Sequence, residues 1–301
     1  MSQRVACALG IDESQAYFDY FGLNHLGWLR AVYAHGDEVL ASALARLDEP
    51  AIRRRMAAVD EIAMFGADLV RELRMIPNEY LYYYYHNREA VENIRSAGET
   101  RGQFLLRTAR DLMGRLKAAR SAGDPAEGIE EYVRFMETRH RMYMKTETGA
   151  GRTQGHESHG TGATGGLADG GEDGGYERIA LGVIKAIAHN LRQVMVLNTR
   201  SRGAIEGLAA DRVAELPCVV DASGVRPLAV GAVPGEALGL MQMVSEYERL
   251  TIEASVTGSY HTAWRALTVH PLVPSAELAR QILDEYLSQH GAALEHVRRR
   301  A

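Results

Sequence analysis

The spacing of apolar residues along the chain predicts more helix than strand. A helix is predicted over 51–75, because apolar residues between Ile52 and Leu73 recur near the interval of an α-helix, and Pro77 then stops the pattern. Arg4–Gly10 has the pattern of the last turns of a helix that Gly10 caps. The other predicted helical segments are 89–119, 126–144, 179–191, 234–256, 259–269 and 275–294.

The predicted strands are few and fall into two groups along the chain. They are 16–23 and 28–33 in the first group, and 194–197, 212–220 and 226–230 in the second. The strand 194–197 is expected to be short and buried. The first group is followed by a turn at His35-Gly36-Asp37, and Asp221–Gly224 forms the turn of a strand pair in the second. Strands and helices do not alternate regularly, and no Gly-x-Gly-x-x-Gly follows a strand. The sequence therefore predicts an α+β fold with short mixed or antiparallel sheets and no Rossmann domain.

Composition narrows the class of protein. Apolar residues make up 46% of the 301 residues and charged residues 24%, which is typical of a soluble globular protein. A formal charge of -5 does not attract nucleic acid or anionic lipid electrostatically, so neither is expected as a partner. No apolar stretch approaches the roughly 20 residues of a membrane span, and no secretory signal is visible, which predicts a cytoplasmic protein. Cys7 and Cys218 lack CxxC partners, so neither a disulfide framework nor a zinc ribbon is expected.

One segment differs from the rest of the chain. Residues 148–175 contain eleven glycines and almost no apolar side chains, so they cannot bury enough area to offset the entropy of ordering. We interpret them as a flexible Gly-rich surface loop. His156 and His159 lie within it at a spacing that a metal site can use, but a floppy segment favours solvated histidines instead.

Four short segments carry candidate chemistry, and each has a structural alternative. His25, between two predicted strands, is either a metal ligand in a cleft or a hydrogen-bonded core histidine. Tyr80–Tyr85 holds five tyrosines in six positions, which either place a phenol in a pocket or form a packed aromatic face. Arg101 either contacts a phosphate or sugar hydroxyls, or is a solvated helix charge. The segment Asn198–Ile205 is either an anion-binding loop or a polar turn.

Taken in order, these segments resemble the glycoside hydrolase family 4 enzymes, and most of all their 6-phospho-β-glucosidase branch. The resemblance covers nearly the whole chain except the Gly-rich loop. The segments that carry it are Gly22–Trp28, Pro77–Tyr84, Thr100-Arg101, Asn198–Arg200 with Gly203–Ile205, Val213–Pro217, Tyr247–Ala254 and Ala266–Val273. It implies one helix-rich C-terminal catalytic and substrate domain of lactate dehydrogenase-like type over residues 1–301.

The resemblance also implies a reaction that departs from the usual pair of glycosidase carboxylates. In it, NAD takes hydride from C3 of a phosphorylated β-glucoside, and the resulting ketone acidifies the proton on C2. A tyrosine removes this proton while a divalent metal, typically manganese, stabilises the enediolate, and the aglycone then leaves from C1. By resemblance, Tyr80 is the catalytic base, His25 a metal ligand and Arg101 a substrate contact, and Asn24 borders the sugar.

The resemblance departs from the family pattern at the front of the chain. Family members begin with a nucleotide-binding domain and carry a Cys-Asn-x-Pro segment whose cysteine is a second metal ligand. Neither is present in this sequence, and Cys7 lies in the helix that follows that segment. The expected partners are therefore a phosphorylated disaccharide or β-glucoside, a second copy of the chain, and a separately encoded NAD-binding half. Two hypotheses follow: an enzyme inactive without that half, or a decayed relative that binds sugar phosphates or serves as an oligomer scaffold.

Overall fold

The computed structural model describes residues 1–149 and 175–297, apart from the side chains of Gly175 and Tyr176. The described residues form two compact units. The sheet unit takes in residues 1–85 and those from 192 onward, and the helical unit takes in the part between, 86–191. The predicted Gly-rich loop, with His156 and His159, lies outside the described residues from position 150 to 174.

The strands of the sheet unit form one antiparallel sheet. They are β1 (Ala16–Leu23), β2 (Leu26–Ala34), β3 (Asp37–Glu38), β4 (Ile76–Pro77), β5 (Gln193–Arg200), β6 (Val213–Asp221) and β7 (Gly224–Pro227). Their order is β3-β2-β1-β6-β5, with β4 beside β2 and β7 beside β6. Gly22 of β1 pairs with Glu215 of β6, so the two groups that are separate along the chain meet in a single sheet. The predicted α+β class is confirmed, and the sheet is antiparallel rather than mixed.

One predicted strand differs from expectation in its burial. Residues 194–197 were expected to form a short buried strand, and they form the middle of the eight-residue β5. Val194 is 48% exposed and Val196 is 37% exposed. The reason is position, because β5 is the last strand in the sheet order and its side chains on this face have no cover among the described residues.

The described residues contain fourteen α-helices. In the sheet unit they are α1 (Ser2–Leu9), α2 (Leu40–Ala45), α3 (Pro50–Met56), α4 (Asp60–Phe65), α5 (Ala67–Leu73), α6 (Tyr82–Tyr85), α12 (Gly235–Thr257), α13 (Tyr260–Val269) and α14 (Ala276–Gln289). In the helical unit they are α7 (Asn87–Ser96), α8 (Arg101–Ala122), α9 (Pro125–Arg141), α10 (Lys145–Thr148) and α11 (Gly175–Ala188). Short 3-10 turns precede β1 and α6, at Glu13–Gln15 and Glu79–Leu81. None of the described helices has the length and apolar character to cross a membrane.

Two predicted helices are each broken in the structure. The single helix expected over 51–75 is three helices, because Val59 is extended and Gly66 takes a φ of 83°, which only glycine adopts without strain. The helix expected over 89–119 is interrupted before Arg101. The Thr100 hydroxyl oxygen accepts a hydrogen bond from the Gln103 backbone amide, and the Gln103 side-chain oxygen accepts one from the Thr100 backbone amide. This capping box starts a new helix that apolar periodicity alone did not reveal.

The core of the sheet unit holds the β1–β2 hairpin. Phe21, Leu23, Trp28 and Leu29 are each at most 2% exposed. The rings of Phe21 and Trp28 stack with their centroids 5.5 Å apart. Burial of this kind fixes both strands of the hairpin and therefore the direction in which its tip points.

Candidate functional site

The tip of the β1–β2 hairpin carries two of the predicted site residues. Leu23 pairs with Leu26, so Asn24 and His25 form a two-residue turn. His25 has a φ of 63°, in the left-handed region that histidine tolerates better than most residues. Both side chains are exposed. The alternative of a core histidine is therefore wrong, since the imidazole stands at the end of the hairpin.

Two glycines allow the hairpin to close tightly below this tip. Gly22 lies opposite Gly27, and a Cβ on Gly22 would be 2.3 Å from the Cα of Gly27. A Cβ on Gly27 would be 2.3 Å from the hydroxyl oxygen of Tyr20. The glycines that flank Asn24 and His25 are thus positions of close approach, one to backbone and one to a phenol ring.

The segment that carries Tyr80 is attached to β2 at both ends. At its start, β4 pairs with β2, and the Asn78 amide donates to the Gly27 carbonyl oxygen at 2.8 Å. The Asn78 side chain then accepts a hydrogen bond from the Tyr80 amide at 2.9 Å and caps the 3-10 turn. At its end, the Trp28 indole donates to the Tyr85 hydroxyl at 3.1 Å. These contacts fix the position of Tyr80 relative to the hairpin.

The structure brings His25 and Tyr80 into direct contact. Their ring centroids lie 4.2 Å apart with an interplanar angle of 26°, which is a stacked arrangement. His25 is exposed and Tyr80 is half-buried, so the pair lies where the sheet unit meets solvent. Two residues that the family resemblance assigned to one site, from segments far apart in the chain, therefore lie next to each other.

Asn24 and the 198–205 segment lie beside the same tip. The Asn198 side chain of β5 donates to the Asn24 side-chain oxygen at 3.3 Å, which ties the turn to the neighbouring strand. Further along, the amides of Ser201, Arg202 and Ala204 donate to the carbonyl oxygens of Arg212, Ala210 and Ser201. Because these three amides are used within the fold, the polar-turn interpretation of the segment is favoured over an anion-binding loop.

A carboxylate and a phenol that sequence reasoning missed lie close to His25. The Tyr20 hydroxyl donates to Glu215 at 3.1 Å. Burial raises the pKa of Glu215, and the Tyr20 hydrogen bond and the nearby His25 oppose that rise. Burial, followed by the Glu215 charge, raises the pKa of Tyr20 well above its ordinary value. The available signal was a lone acidic residue in the apolar β6 sequence Val-Ala-Glu-Leu-Pro-Cys-Val-Val.

Arg101 belongs to the helical unit, where it is the first residue of α8. One guanidinium nitrogen donates to the Arg139 carbonyl oxygen at 3.0 Å, and the group lies 5.3 Å from the centre of the Phe104 ring. Its Nη1 atom is buried and has no hydrogen-bond partner among the described residues. The side chain is therefore half-buried rather than a fully solvated helix charge, and its proposed contact with substrate stays a prediction.

The residues present do not by themselves complete a metal site. Over residues 1–149 and 175–297, no three His, Cys, Asp or Glu side chains gather in an arrangement that could hold a metal ion. His25 is a single imidazole donor, and a protein site for a divalent transition metal ordinarily needs about three or four ligands. Cys7 is exposed on α1 and Cys218 is buried in β6, and neither forms a disulfide. We therefore assign no reaction step to a metal held by these residues alone.

Comparison with known proteins finds phosphoglucosidases among the relatives of this chain. A probable 6-phospho-beta-glucosidase of Bacillus subtilis is 28% identical over 293 residues, which cover 96% of this chain and 57% of that protein. A maltose-6'-phosphate glucosidase of Fusobacterium mortiferum is 26% identical over 94% of this chain and 57% of its own length. The structure of the 6-phospho-beta glucosidase of Thermotoga maritima with manganese, NAD+ and glucose-6-phosphate matches with a TM-score of 0.65 and 26% identity. It is matched over 96% of this chain and 57% of its own.

The chain thus spans 57% of the length of each of these relatives. The family profile described as the family 4 glycosyl hydrolase C-terminal domain matches residues 20–273. That range includes the hairpin tip, the tyrosine segment and the strand that carries Glu215. The chain therefore belongs to glycosyl hydrolase family 4 and corresponds to the C-terminal part of its members.

Proposed function

We propose that this chain is the substrate-side part of a 6-phospho-β-glucosidase, which cleaves phosphorylated β-glucosides by oxidation and elimination together with an NAD-binding half. The observation that carries the proposal is the His25–Tyr80 ring stack at the hairpin tip, where Asn78 caps the turn that carries Tyr80 and Asn198 of β5 contacts Asn24. The names of the relatives supply the substrate class, and the Thermotoga structure supplies NAD and manganese as the family's cofactors.

In this proposal each residue of the chain has a defined task. Tyr80 accepts the proton from the sugar carbon next to the oxidised position, Asn24 borders the sugar and Arg101 contacts the substrate. Oxidation and metal binding are completed by the NAD-binding half, with His25 as this chain's contribution to the metal. Burial raises the pKa of Glu79, which immediately precedes Tyr80. A Glu79 side chain kept towards its neutral form reduces the negative charge that would oppose a phenolate at Tyr80.

The experiment is to supply the missing half. We would fuse the N-terminal portion of the Thermotoga maritima relative, which this chain does not match, ahead of Met1. Release of p-nitrophenol from p-nitrophenyl β-glucoside 6-phosphate is expected to require both NAD and Mn²⁺, and the α-anomer is expected to react more slowly. The Tyr80→Phe fusion should lose about 10²–10⁴-fold in rate. The matched control, Tyr33→Phe, alters an exposed tyrosine of β2 and should leave the rate unchanged.

Two results would contradict the enzyme proposal. One is undiminished cleavage after NAD and metal have been stripped from the fusion, and the other is a Tyr80→Phe variant with the parent rate. The 301-residue chain on its own is expected to show no turnover. A fusion that binds glucose 6-phosphate in calorimetry but never turns over would instead support the scaffold hypothesis, which the lack of a complete metal cluster among the described residues favours.

We also propose that the chain self-associates. Ile252 and Val256, one helical turn apart on α12, are 65% and 81% exposed, which is unusual for β-branched apolar residues. Sedimentation should show a dimer or larger species, and Val256→Asp should shift it towards monomer. Val91→Asp, on α7 of the helical unit, is the control that should not, and a monomeric parent protein would contradict the proposal.

A further inference from the structure

A second group of rings lies in the sheet unit, outside the His25–Tyr80 pair. His270 follows α13, and its ring centroid is 4.5 Å from that of Tyr247 on α12, with the planes nearly perpendicular. The centroid of Tyr84 on α6 is 6.5 Å from that of His270. We call Tyr84, Tyr247 and His270 the ring cluster. All three side chains are half-buried, so the cluster is open to solvent on part of its surface.

Three of the four polar side-chain atoms of the ring cluster make no hydrogen bond among the described residues. His270 Nδ1 accepts a hydrogen bond from the Leu272 amide at 3.2 Å, so the neutral ring carries its proton on Nε2. That Nε2 atom and the hydroxyls of Tyr84 and Tyr247 make no hydrogen bond to any residue that the structure describes. Three flat apolar surfaces with three available polar atoms form the kind of surface that holds a ring bearing hydroxyl groups.

The charge state of the ring cluster suits binding better than proton transfer. Burial, with Tyr247 and Glu248 nearby, raises the pKa of Tyr84 to about 12, so its hydroxyl stays protonated at neutral pH. Burial also lowers the pKa of His270, so the imidazole stays neutral. Arg212, whose charge acts on Glu248 next to Tyr247 in the chain, is paired with Glu246 at 3.2 Å. The cluster therefore offers no free positive charge for a phosphate and suits an uncharged ligand.

The ring cluster adjoins the candidate catalytic residue through the tyrosine segment. Tyr80 and Tyr84 are four residues apart across the 3-10 turn and α6. The same short segment therefore carries Tyr80, which stacks on His25, and Tyr84, which lies beside His270.

We propose that the ring cluster of Tyr84, Tyr247 and His270 is the subsite for the aglycone, the uncharged sugar or aryl ring that leaves from C1. The inference rests on the proposed function, because it takes the sugar-6-phosphate to lie at the His25–Tyr80 pair. It assigns selectivity for the leaving group to residues that take no part in the chemical step. Stacking on such rings strengthens binding between about twofold and tenfold.

Calorimetry on the 301-residue chain tests the subsite with two probes, glucose 6-phosphate and phenyl β-glucoside 6-phosphate. The parent chain should bind the phenyl compound roughly fivefold more tightly. Tyr247→Ala and His270→Asn should remove this preference and leave the glucose 6-phosphate affinity unchanged. Asn can keep the acceptor that the Leu272 amide needs, so His270→Asn removes the ring without removing that contact. Tyr286→Ala, which breaks the Tyr286–His290 ring pair on α14, is the matched control.

The outcomes separate the two proposals. If folded Tyr247→Ala and His270→Asn variants still prefer the phenyl compound, the subsite proposal is wrong. It is also wrong if the parent chain lacks this preference. Neither result contradicts the proposed function. A lower melting temperature with an unchanged preference also overturns it, since the cluster would then be a packing feature. A parent chain that binds neither probe contradicts the proposed function, and the subsite falls with it.

Discussion

The two units are stabilised in different ways. In the sheet unit, large side chains such as Phe21 and Trp28 are completely buried. In the helical unit, α9 has no buried residue and α8 has only Ala119. Helix caps hold these two helices, together with exposed ion pairs such as Arg115–Glu131 at 2.7 Å. Such pairs contribute little to stability.

This difference affects which unit can hold reacting side chains in a fixed arrangement. Tight packing restricts the backbone around His25 and Tyr80 to one conformation, and a catalytic pair needs that precision. Arg101 begins a helix that has a capping box and a single buried residue, and its guanidinium contacts the Arg139 carbonyl oxygen and the Phe104 ring. The sheet unit therefore has the kind of packing that holds reacting side chains in a fixed geometry, and α8 and α9 of the helical unit do not.

The largest expected effect comes from the core of the sheet unit. Phe21→Ala removes a fully buried ring that stacks on Trp28 and should cost about 3–5 kcal/mol of unfolding free energy. Leu106→Ala, on α8, truncates a side chain that is 53% exposed and should change stability by less than about 0.5 kcal/mol. Urea unfolding can follow the sheet unit selectively, because both tryptophans, Trp28 and Trp264, lie in it. Equal losses in the two variants would show that the helical unit is packed more tightly in solution.

The next effect comes from one chemical change made in both units. Gly22→Ala would put a Cβ 2.3 Å from the Gly27 backbone, where no side chain can move aside. The substitution should lower the free energy of unfolding by roughly 3 kcal/mol, so the tryptophan-detected transition should occur at a lower urea concentration. Gly114→Ala, in the middle of α8, meets nothing within 4 Å and should stabilise the helix by about 0.5–1 kcal/mol. Circular dichroism at 222 nm measures that change. If both variants were stabilised, or both destabilised, the contrast between the two units would be contradicted.

Sequence reasoning succeeded where a local pattern decides the structure. The strand 16–23, the Gly10 cap and the strand pair around Asp221–Gly224 follow from alternation and turn chemistry, and the structure has them. The breaks at Gly66 and before Arg101 were missed because apolar spacing continues across them, while a positive φ and a capping box decide the outcome. The joining of two strand groups depends on the Gly22–Glu215 pairing, and nothing local signals that pairing.

The site shows the same division between local and long-range information. His25 and Tyr80 were named from short segments and their family resemblance, but their 4.2 Å stack requires β4 to pair with β2. Glu215 and Tyr20 were missed because their hydrogen bond joins residues 195 positions apart. Local pattern can nominate such residues, and the sheet register decides which of them meet.

A smaller effect is expected from the two side-chain caps. Asn78→Ala removes the side-chain acceptor of the Tyr80 amide and should cost about 1 kcal/mol, while the Asn78 backbone amide keeps its hydrogen bond to Gly27 of β2. Asp124→Ala removes the equivalent acceptor of the Glu127 amide in the helical unit and should cost a similar amount. Only Asn78→Ala should speed hydrogen exchange of the amides from Tyr80 to Tyr85. Faster exchange there in Asp124→Ala would show that the units do not respond separately.

The smallest expected effect concerns acid stability. Burial lowers the pKa of His270 below its ordinary value of 6.5, and Tyr84 and Tyr247 face its ring. As pH falls below 6.5, the unfolded chain takes up a proton at this residue before the folded chain does, so the free energy of unfolding decreases. His270→Asn removes this contribution. The free energy of unfolding of this variant, measured from the tryptophan-detected transition, should therefore decrease less between pH 7 and pH 5 than that of the parent chain. His140→Asn, at an exposed position on α9, should leave the parent's slope unchanged, and a parallel slope in His270→Asn would show that the ring is not desolvated in solution.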